Sequence, residues 1–260
     1  MSVEIVRGFH MSLSSRVTTT LAFLAAALAL PGVDHAAAMS VTPIQVEMTS
    51  TGGAGRSQVT VSNDSSEPLP IEVAIEKLQV DENGGRKLTK AGDDFLVFPP
   101  QAMIAPGSSQ VFRLQWVGEP AIAASESYLM SVNQVPVKLP AGKSAVQIVM
   151  SFGVVINVAP PQGAPSLNLV STGVEADKKT GKRYPTITVE NPSNVHALLP
   201  QSTIALSGDG WSHTMSATEI SEKVGVVLVQ PGAKRRFVLP VELPPEVKTV
   251  QASLDFKPKR

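Results

Sequence analysis

The sequence predicts an all-β protein, and three observations support this fold class. Short segments with alternating apolar and polar residues recur along the chain, with 21 prolines and 19 glycines available to separate them. The region before residue 160 has no convincing amphipathic helix pattern. Two short motifs of the first half return in the second half at nearly the same spacing. We therefore expect two similar β-domains.

Seven segments before residue 160 have the strand pattern, and this number suits an immunoglobulin-like sandwich. In chain order they are 41–48, 56–62, 69–80, 95–98, 110–117, 127–137 and 145–158. Pro43 predicts an edge position for the first of them. Residues 159–165 read A-P-P-Q-G-A-P, which is typical of a stiff linker. We therefore expect an N-terminal domain over 39–158, a linker over 159–166 and a C-terminal domain over 167–260.

The two repeated motifs are a turn and a corner. The turn reads V-S-N-D-S around Asn63 and V-E-N-P-S around Asn191. The corner is Pro-Gly, then four intervening residues, then F-x-L, and it begins at Pro106 and again at Pro231. Similar separations of both pairs indicate a duplicated sandwich.

The first residues predict a cleaved signal peptide over 1–38. Arg7 and Arg16 precede an apolar core over 21–30, and small residues follow at 36–38. An apolar core of about ten residues is too short to span a bilayer core of about 30 Å as a helix. We expect export to the periplasm and no membrane insertion of the mature chain.

Composition excludes several classes of function. The chain has no cysteine, which excludes a disulfide framework and a cysteine-based metal or redox site. The formal net charge is +0 and aromatic residues are 5%, so a nucleic-acid partner is not expected. His196 and His213 remain in the mature chain without a second ligand at metal spacing, and we expect surface or turn positions for both. No phosphate cradle or nucleophile motif is found, so we predict neither an enzyme nor a cofactor.

The segment around which the chain is organised is 145–158, which reads A-V-Q-I-V-M-S-F-G-V-V-I-N-V. Every second residue from 146 to 158 is apolar, and no charged residue occurs from 144 to 174. At ~3.3 Å per residue such a strand would span roughly 46 Å. An uncharged apolar strand at a sheet edge is an aggregation hazard. It is therefore either buried within its own sandwich or exposed at an edge in order to pair with a partner.

An ordered set of motifs resembles the periplasmic pilus-assembly chaperones of the chaperone–usher pathway. These motifs are F-L-V-F-P-P at 95–100, P-G-S-S-Q-V-F-R-L at 106–114, E-S-Y at 126–128, V-N-Q-V-P at 132–136, V-E-N-P-S at 189–193 and L-D-F at 254–256. The resemblance implies a boomerang of two immunoglobulin-like domains that acts without ATP. Its partners would be a pilin-like subunit, which receives a strand from the chaperone, and an outer-membrane usher.

By position, the resemblance assigns the strand-donating role to segment 145–158. Its subunit-binding residues would be Val146, Ile148, Met150 and Phe152. Burial of four such side chains contributes at most about 6–12 kcal/mol. Association costs about 4–15 kcal/mol, so the backbone ladder must contribute as well. A free chaperone could also self-associate to cover this strand, and the sequence leaves this open.

The resemblance further implies an interdomain charge cluster and an anchor for the subunit's C-terminal carboxylate. The cluster would be Arg113, Glu126 and Asp255. At the anchor the chain departs from the family, because Val155 and Glu47 stand where basic residues are expected. Substitutes for the anchor would be Arg56, Lys138 and Lys143.

A different class of function stays open at this point. An exported two-domain β-sandwich can bind carbohydrate or serve as an adhesive or structural surface protein. Such a protein places aromatic side chains in an open cleft. The aromatic candidates with a polar atom are Trp116, Trp211, Tyr128 and Tyr184.

Overall fold

The computed structural model describes residues 39–136, 149–225 and 227–258. The strands before residue 160 are β1 (Met39–Thr42), β2 (Gln45–Thr49), β3 (Arg56–Asn63), β4 (Leu69–Val80), β5 (Arg86–Lys90), β6 (Phe95–Phe98), β7 (Gln101–Ile104), β8 (Ser109–Trp116), β9 (Glu126–Gln134) and β10 (Ser151–Ala159). Those after residue 160 are β11 (Asn168–Ala176), β12 (Arg183–Glu190), β13 (Ala197–Leu198), β14 (Ser202–Gly208), β15 (Trp211–Met215), β16 (Leu228–Val229), β17 (Lys234–Val238) and β18 (Gln251–Phe256), with a short helix α1 (Ala217–Lys223). The predicted all-β class is confirmed. The predicted signal peptide lies outside the described residues.

The first ten strands form two sheets that share one apolar core, here called the first sandwich. One sheet has the order β1-β3-β8-β6, and the other has the order β2-β10-β9-β4-β5 with β7 also beside β4. Alternate residues of each central strand point into the core because side chains on a strand alternate between its faces. These buried residues include Phe112 and Leu114 of β8, Tyr128, Met130 and Val132 of β9, and Val154, Ile156 and Val158 of β10.

The predicted single strand over 41–48 is wrong, because the chain changes sheets in its middle. β1 pairs with β3 in one sheet, whereas β2 pairs in parallel with β10 in the other. Pro43 lies between them and has no N–H with which to continue either ladder. The change of sheet limits how far β2 can extend along β10.

The strands after residue 160 form the second sandwich, with a core of its own. Its sheets are β11-β12-β17, β15-β14-β18 and the short pair β13-β16. Helix α1 begins after Ser216, whose hydroxyl accepts a hydrogen bond from Glu219 N at 3.2 Å. Ile220 of this helix is fully buried in the second core. The boundaries at 158 and 167 stay predictions.

The repeated turn and corner have the same geometry in both sandwiches. Asn63 is buried, and its Nδ2 donates to the carbonyls of Glu67 and Ile104 at 2.8 and 3.0 Å. Its backbone carbonyl accepts from Gly107 N of the Pro-Gly corner at 2.8 Å.

Asn191 makes the corresponding set of bonds in the second sandwich. Its Nδ2 donates to Val195 O and Val229 O at 2.8 and 3.0 Å, and its carbonyl accepts from Gly232 N at 2.8 Å. The two predicted repeats are therefore equivalent in three dimensions.

Candidate functional site

Strand β10 is hydrogen-bonded along the whole of one side and along only half of the other. It pairs with β9 from Ser151 to Val158, but with β2 only from Val155 to Ala159. The pairing with β2 starts where Val155 N donates to Ile44 O at 3.0 Å. In the part of the chain that the structure describes, residues 151–154 have no strand partner on the β2 side. We call residues 151–154 the open edge.

The backbone groups that face outward at the open edge belong to alternate residues. Met150 O accepts from Gln134 N of β9 at 2.9 Å, whereas Val155 N points to the β2 side. Because backbone direction alternates along a strand, the N–H and C=O groups of Ser151 and Gly153 also point away from β9. Neither residue carries a charge that would discourage pairing with another strand.

The side chains of β10 continue one apolar face from the core toward the open edge. Val154, Ile156 and Val158 are fully buried in the first sandwich, and Phe152 and Met150 pack partly against the same core. Val149 projects on the other face and is 48% exposed. Of the predicted subunit-binding residues, Phe152 therefore lies within the open edge and Met150 lies next to it. Val146 and Ile148 lie outside the described residues.

The predicted charge cluster is not brought together. Glu126 forms an ion pair with Lys77 at 2.9 Å and accepts a hydrogen bond from Tyr128 Oη at 2.5 Å, all within the first sandwich. Asp255 pairs with Lys257 at 2.6 Å at the end of the chain. Arg113 is exposed on the outer face of β8 and makes no ion pair with either acid. The motif positions were recognisable, but the direction of each side chain depends on sheet packing.

The pKa values of Glu126 and Tyr128 are shifted by the contacts around them. Partial burial by itself raises the pKa of Glu126, but the hydrogen bonds from Tyr128 and Lys77 and the charge of Lys77 outweigh burial, so the pKa is lowered. The pKa of Tyr128 is raised by burial and by its hydrogen bonds to Glu126 and Asp94. Its hydroxyl therefore stays protonated and donates to the carboxylates.

A polar contact between the two sandwiches is built from residues that the motif comparison missed. His196 of the second sandwich follows the bend before β13, as the predicted turn position requires, but it is buried there, with 6% exposure, and does not lie on the surface. Its Nδ1 lies 3.0 Å from Ser125 Oγ, and its Nε2 contacts Glu47 Oε2 of β2. The same Glu47 accepts from Asn157 Nδ2 of β10 at 2.9 Å. A histidine has no sequence signal that reveals such a partner 149 positions away.

A second contact between the sandwiches involves strand β4. The amide of Gln230 accepts from Val80 N and donates to Leu78 O, both at 2.9 Å. Leu78, Val80 and Leu228 form a small buried apolar cluster around it. This contact and the Glu47–His196 contact belong to the junction of the two sandwiches, where backbone bonds from Ser125 N to Asn194 O at 2.9 Å and from Arg236 N to Glu82 O at 2.7 Å also join them.

A cavity of about 470 Å³ lies at this junction beside the open edge. Its walls include Ile44, Gly153 and Val155 from the first sandwich, and Lys223 and Leu228 from the second. Val155, at the expected basic position, gives the cavity an apolar wall. Arg86 and Lys223 are the basic residues that line it.

The predicted anchor Arg56 lies elsewhere, on the outer face of the sheet β1-β3-β8-β6. There it lines a cavity of about 590 Å³ together with Leu96, Phe98 and Arg113. Leu96 is 60% exposed and Phe98 is 68% exposed. We call these four residues the outer-face patch. Lys138 and Lys143, the other predicted anchors, lie outside the described residues.

Other kinds of site find little support. Among the described residues, no cluster of His, Asp or Glu is arranged to hold a metal ion. No described helix has the length and apolar character needed to cross a bilayer. Trp116 and Tyr128 are buried in the first core, where they meet Phe95 edge to face. Two of the four aromatic residues considered for a carbohydrate cleft are therefore unavailable to a ligand.

Comparison with known proteins places the fold. Residues 38–162 match the family described as "Pili and flagellar-assembly chaperone, PapD N-terminal domain". A comparison with curated protein sequences gives no match.

Three solved structures share the fold. A chain of a chaperone–tip adhesin complex from CFA/I fimbriae biogenesis has a TM-score of 0.50 and 15% identity over 85% of this chain and 99% of its own. The YadV chaperone has a TM-score of 0.51 and 13% identity over 83% and 91%. A chain of the Salmonella enterica SafA pilin–SafB chaperone complex has a TM-score of 0.51 and 13% identity over 85% and 97%.

These matches confirm the predicted immunoglobulin-like fold and the resemblance found in the sequence. The family match covers both sheets of the first sandwich, including β2, β9 and the open edge of β10. Residues 38–162 therefore form a domain that matches the PapD N-terminal domain of pili and flagellar-assembly chaperones.

Proposed function

We propose that the protein binds a pilin-like subunit by donor-strand complementation, with the open edge of β10 as the backbone that it lends. The observation that supports this most is the half-paired state of β10. An apolar, uncharged strand whose backbone is left open is otherwise a liability that proteins avoid. Strand addition from a partner satisfies the outward N–H and C=O groups of Ser151 and Gly153.

The energetics require side chains as well as backbone. Each net hydrogen bond contributes about 0.5–1.5 kcal/mol, and Ser151 and Gly153 offer a donor and an acceptor each. Their sum lies near or below the association cost of about 4–15 kcal/mol. The subunit must therefore also bury apolar side chains of the donor strand, for which Met150 and Phe152 are available, together with the predicted Val146 and Ile148.

The end of the bound subunit would lie at the junction cavity. Arg56 is an unsuitable carboxylate anchor, because it lines the outer-face patch instead. Of the two basic residues in the cavity, Lys223 already pairs with Glu219 at 2.8 Å. Arg86 has no ion-pair partner among the described residues and is the better candidate for the anchor.

Delivery to an outer-membrane usher requires a second surface that stays free when the subunit is bound. The outer-face patch fits this requirement, because it lies on the sheet that does not contain β10. Its exposed Leu96 and Phe98 supply apolar area, and Arg56 and Arg113 supply positive charge. Export by the predicted signal peptide would place the chaperone in the periplasm, where it meets the subunit and the usher and works without ATP.

The test is co-purification with a pilin-like subunit expressed together with the chaperone. Met150→Asp places a charge on the face that meets the subunit, and we expect loss of co-purification by a variant that still folds, because Met150 packs only partly against the core. Val149→Asp is the matched control, because it places the same charge one residue away on the opposite, exposed face. Retained binding by a folded Met150→Asp variant contradicts the proposal, whereas failure of this variant to fold identifies the strand as ordinary core.

A further inference from the structure

Glu47, which contacts His196, lies on β2 two residues from Gln45, and Gln45 lines the junction cavity. We propose that Glu47 and His196 are a positioning pair that holds the two walls of this cavity together, and that the pair releases at acidic pH. What the cavity binds rests on the proposed function, but the positioning itself does not.

Glu47 is the residue through which the first sandwich takes part in this contact. Its Oε1 accepts from Asn157 Nδ2 of β10 and from Gln45 Nε2 of β2, both at 2.9 Å. Asn157 is fully buried and is fixed in turn by Ser127 Oγ at 2.8 Å. Glu47 thus ties β2 to β10 through its side chain, two residues from Gln45, which lines the cavity.

His196 is the residue through which the second sandwich takes part. Its backbone N–H donates to Ser125 Oγ at 3.0 Å, and its Nδ1 lies 3.0 Å from the same oxygen. Because an ionised carboxylate can only accept, Nε2 carries a proton and donates to Glu47 Oε2. An ionised Glu47 therefore accepts hydrogen bonds from both sandwiches.

Protonation of Glu47 disrupts this arrangement. His196 is the titratable group in contact with the carboxylate among the described residues, whereas its other partners Gln45 and Asn157 do not titrate. Burial alone raises the pKa of Glu47, but the hydrogen bond and charge of His196 and the hydrogen bonds of Asn157 and Gln45 outweigh burial and lower it. The contact is therefore intact at neutral pH and is lost as the pH falls through the lowered pKa.

Loss of this contact leaves the other contacts between the sandwiches in place. At the β4 end these are the bonds of Gln230 and the apolar cluster of Leu78, Val80 and Leu228, which contain no titratable group. At the β2 end the backbone bond from Ser125 N to Asn194 O at 2.9 Å remains, so the walls loosen there without separating. A wider cavity positions the end of a bound strand less well.

The experiment measures the distance between the sandwiches in the free chaperone. Because the chain has no cysteine, Glu67→Cys and Lys248→Cys supply one exposed spin-label site on each sandwich. We expect a narrow distance distribution at pH 7 that broadens toward pH 3, with circular dichroism used to follow the fold. Glu47→Gln should broaden it already at pH 7. Glu72→Gln, an exposed change of the same kind on β4, is the control and should behave as the unchanged protein.

A second measurement separates a positioning role from general loss of structure. Glu47→Gln, His196→Gln and the double variant should broaden the distribution equally, since the two residues act as a unit. Because Glu47 is 47% exposed, we expect subunit binding to weaken by no more than about fivefold in Glu47→Gln.

Three outcomes decide the proposal. An unchanged distance distribution in Glu47→Gln at pH 7 overturns it. A distribution that broadens in Glu47→Gln but not in Glu72→Gln supports it, whatever the subunit affinity. A chaperone without substitutions that binds no subunit contradicts the proposed function, while the distance measurement still tests the contact.

Discussion

The two sandwiches of this chain are built around the same corner but end in different kinds of strand. Asn63 and Asn191 make corresponding side-chain bonds across their turns, and each carbonyl accepts from the glycine of a Pro-Gly corner at 2.8 Å. Phe112 and Phe237 occupy matching positions after that corner, and both are buried. The shared parts are therefore those that hold a sandwich together.

The last strands, β10 and β18, show what differs. In the described residues, β18 pairs with β14 alone, so it too has a free side. That strand carries Asp255, followed by Lys257, and these two residues form an exposed ion pair. Charges at an edge discourage pairing with another chain. The open edge of β10 carries no such charges. Both sandwiches therefore have an edge strand, but only the edge of β10 is left able to pair with another chain, and this difference requires a functional explanation.

The largest expected change in stability comes from truncation of the buried phenylalanines, which tests the architecture shared by the two sandwiches. We expect Phe112→Ala to lower the free energy of unfolding by about 3–5 kcal/mol, because it leaves a large cavity in a packed core. Phe237→Ala should cost a similar amount if the two corners are equivalent. Urea unfolding measures both changes, with the exposed Phe98→Ala as control. A small effect at only one of the two positions breaks the comparison.

The buried asparagines test the same comparison at the level of hydrogen bonds. We expect Asn63→Ala and Asn191→Ala each to lower the free energy of unfolding by about 1–3 kcal/mol, because buried carbonyls lose their donor. The exposed Asn168→Ala should be neutral. Thermal or urea unfolding of the three variants provides the measurement. Neutral values at both buried positions would show that the turns are merely similar in shape.

Removal of one backbone N–H from β10 tests whether its open edge, unlike the edge of β18, pairs with another chain. Ser151→Pro eliminates an N–H that faces the open edge and that β9 does not use. We expect subunit binding to weaken by up to about tenfold, the equivalent of one net hydrogen bond. Titration calorimetry with the subunit measures the change, and Ser151→Ala serves as the control. Equal binding by both variants would mean that the incoming strand does not pair there.

The smallest expected effect concerns the charge pair within the first sandwich. Glu126→Gln should lower the free energy of unfolding at pH 7 by about 0–1 kcal/mol, because the pair with Lys77 is partly exposed. The pKa of Glu126 is lowered in the folded state, so this contribution is present above the ordinary value of 4.5 and disappears as the pH falls through the lowered pKa. Unfolding curves across pH measure it. The distance between the sandwiches should not change, and a change would restore the predicted interdomain cluster of Arg113, Glu126 and Asp255.

Much of the fold was predictable because it depends on local patterns. Alternation over residues 110–117 and 127–137 predicted β8 and β9, and the repeated Asn and Pro-Gly motifs predicted the equivalent corners. The strand over 41–48 was only half right, since alternation does not reveal a change of sheet. The site was less predictable: Arg113 was assigned its role by motif position and Arg56 as a substitute anchor, and both lie on the outer-face patch.

The sequence by itself determined the β class, the duplicated corner and the uncharged strand around which the chain is organised. Periodicity, turn chemistry and the absence of charge are properties of neighbouring residues, so they need no knowledge of distant partners. Only the tertiary structure decided how far β2 covers β10, and that His196 meets Glu47 across 149 positions. Such contacts depend on which strands become neighbours, and the burial that results is a property of the packed sheets.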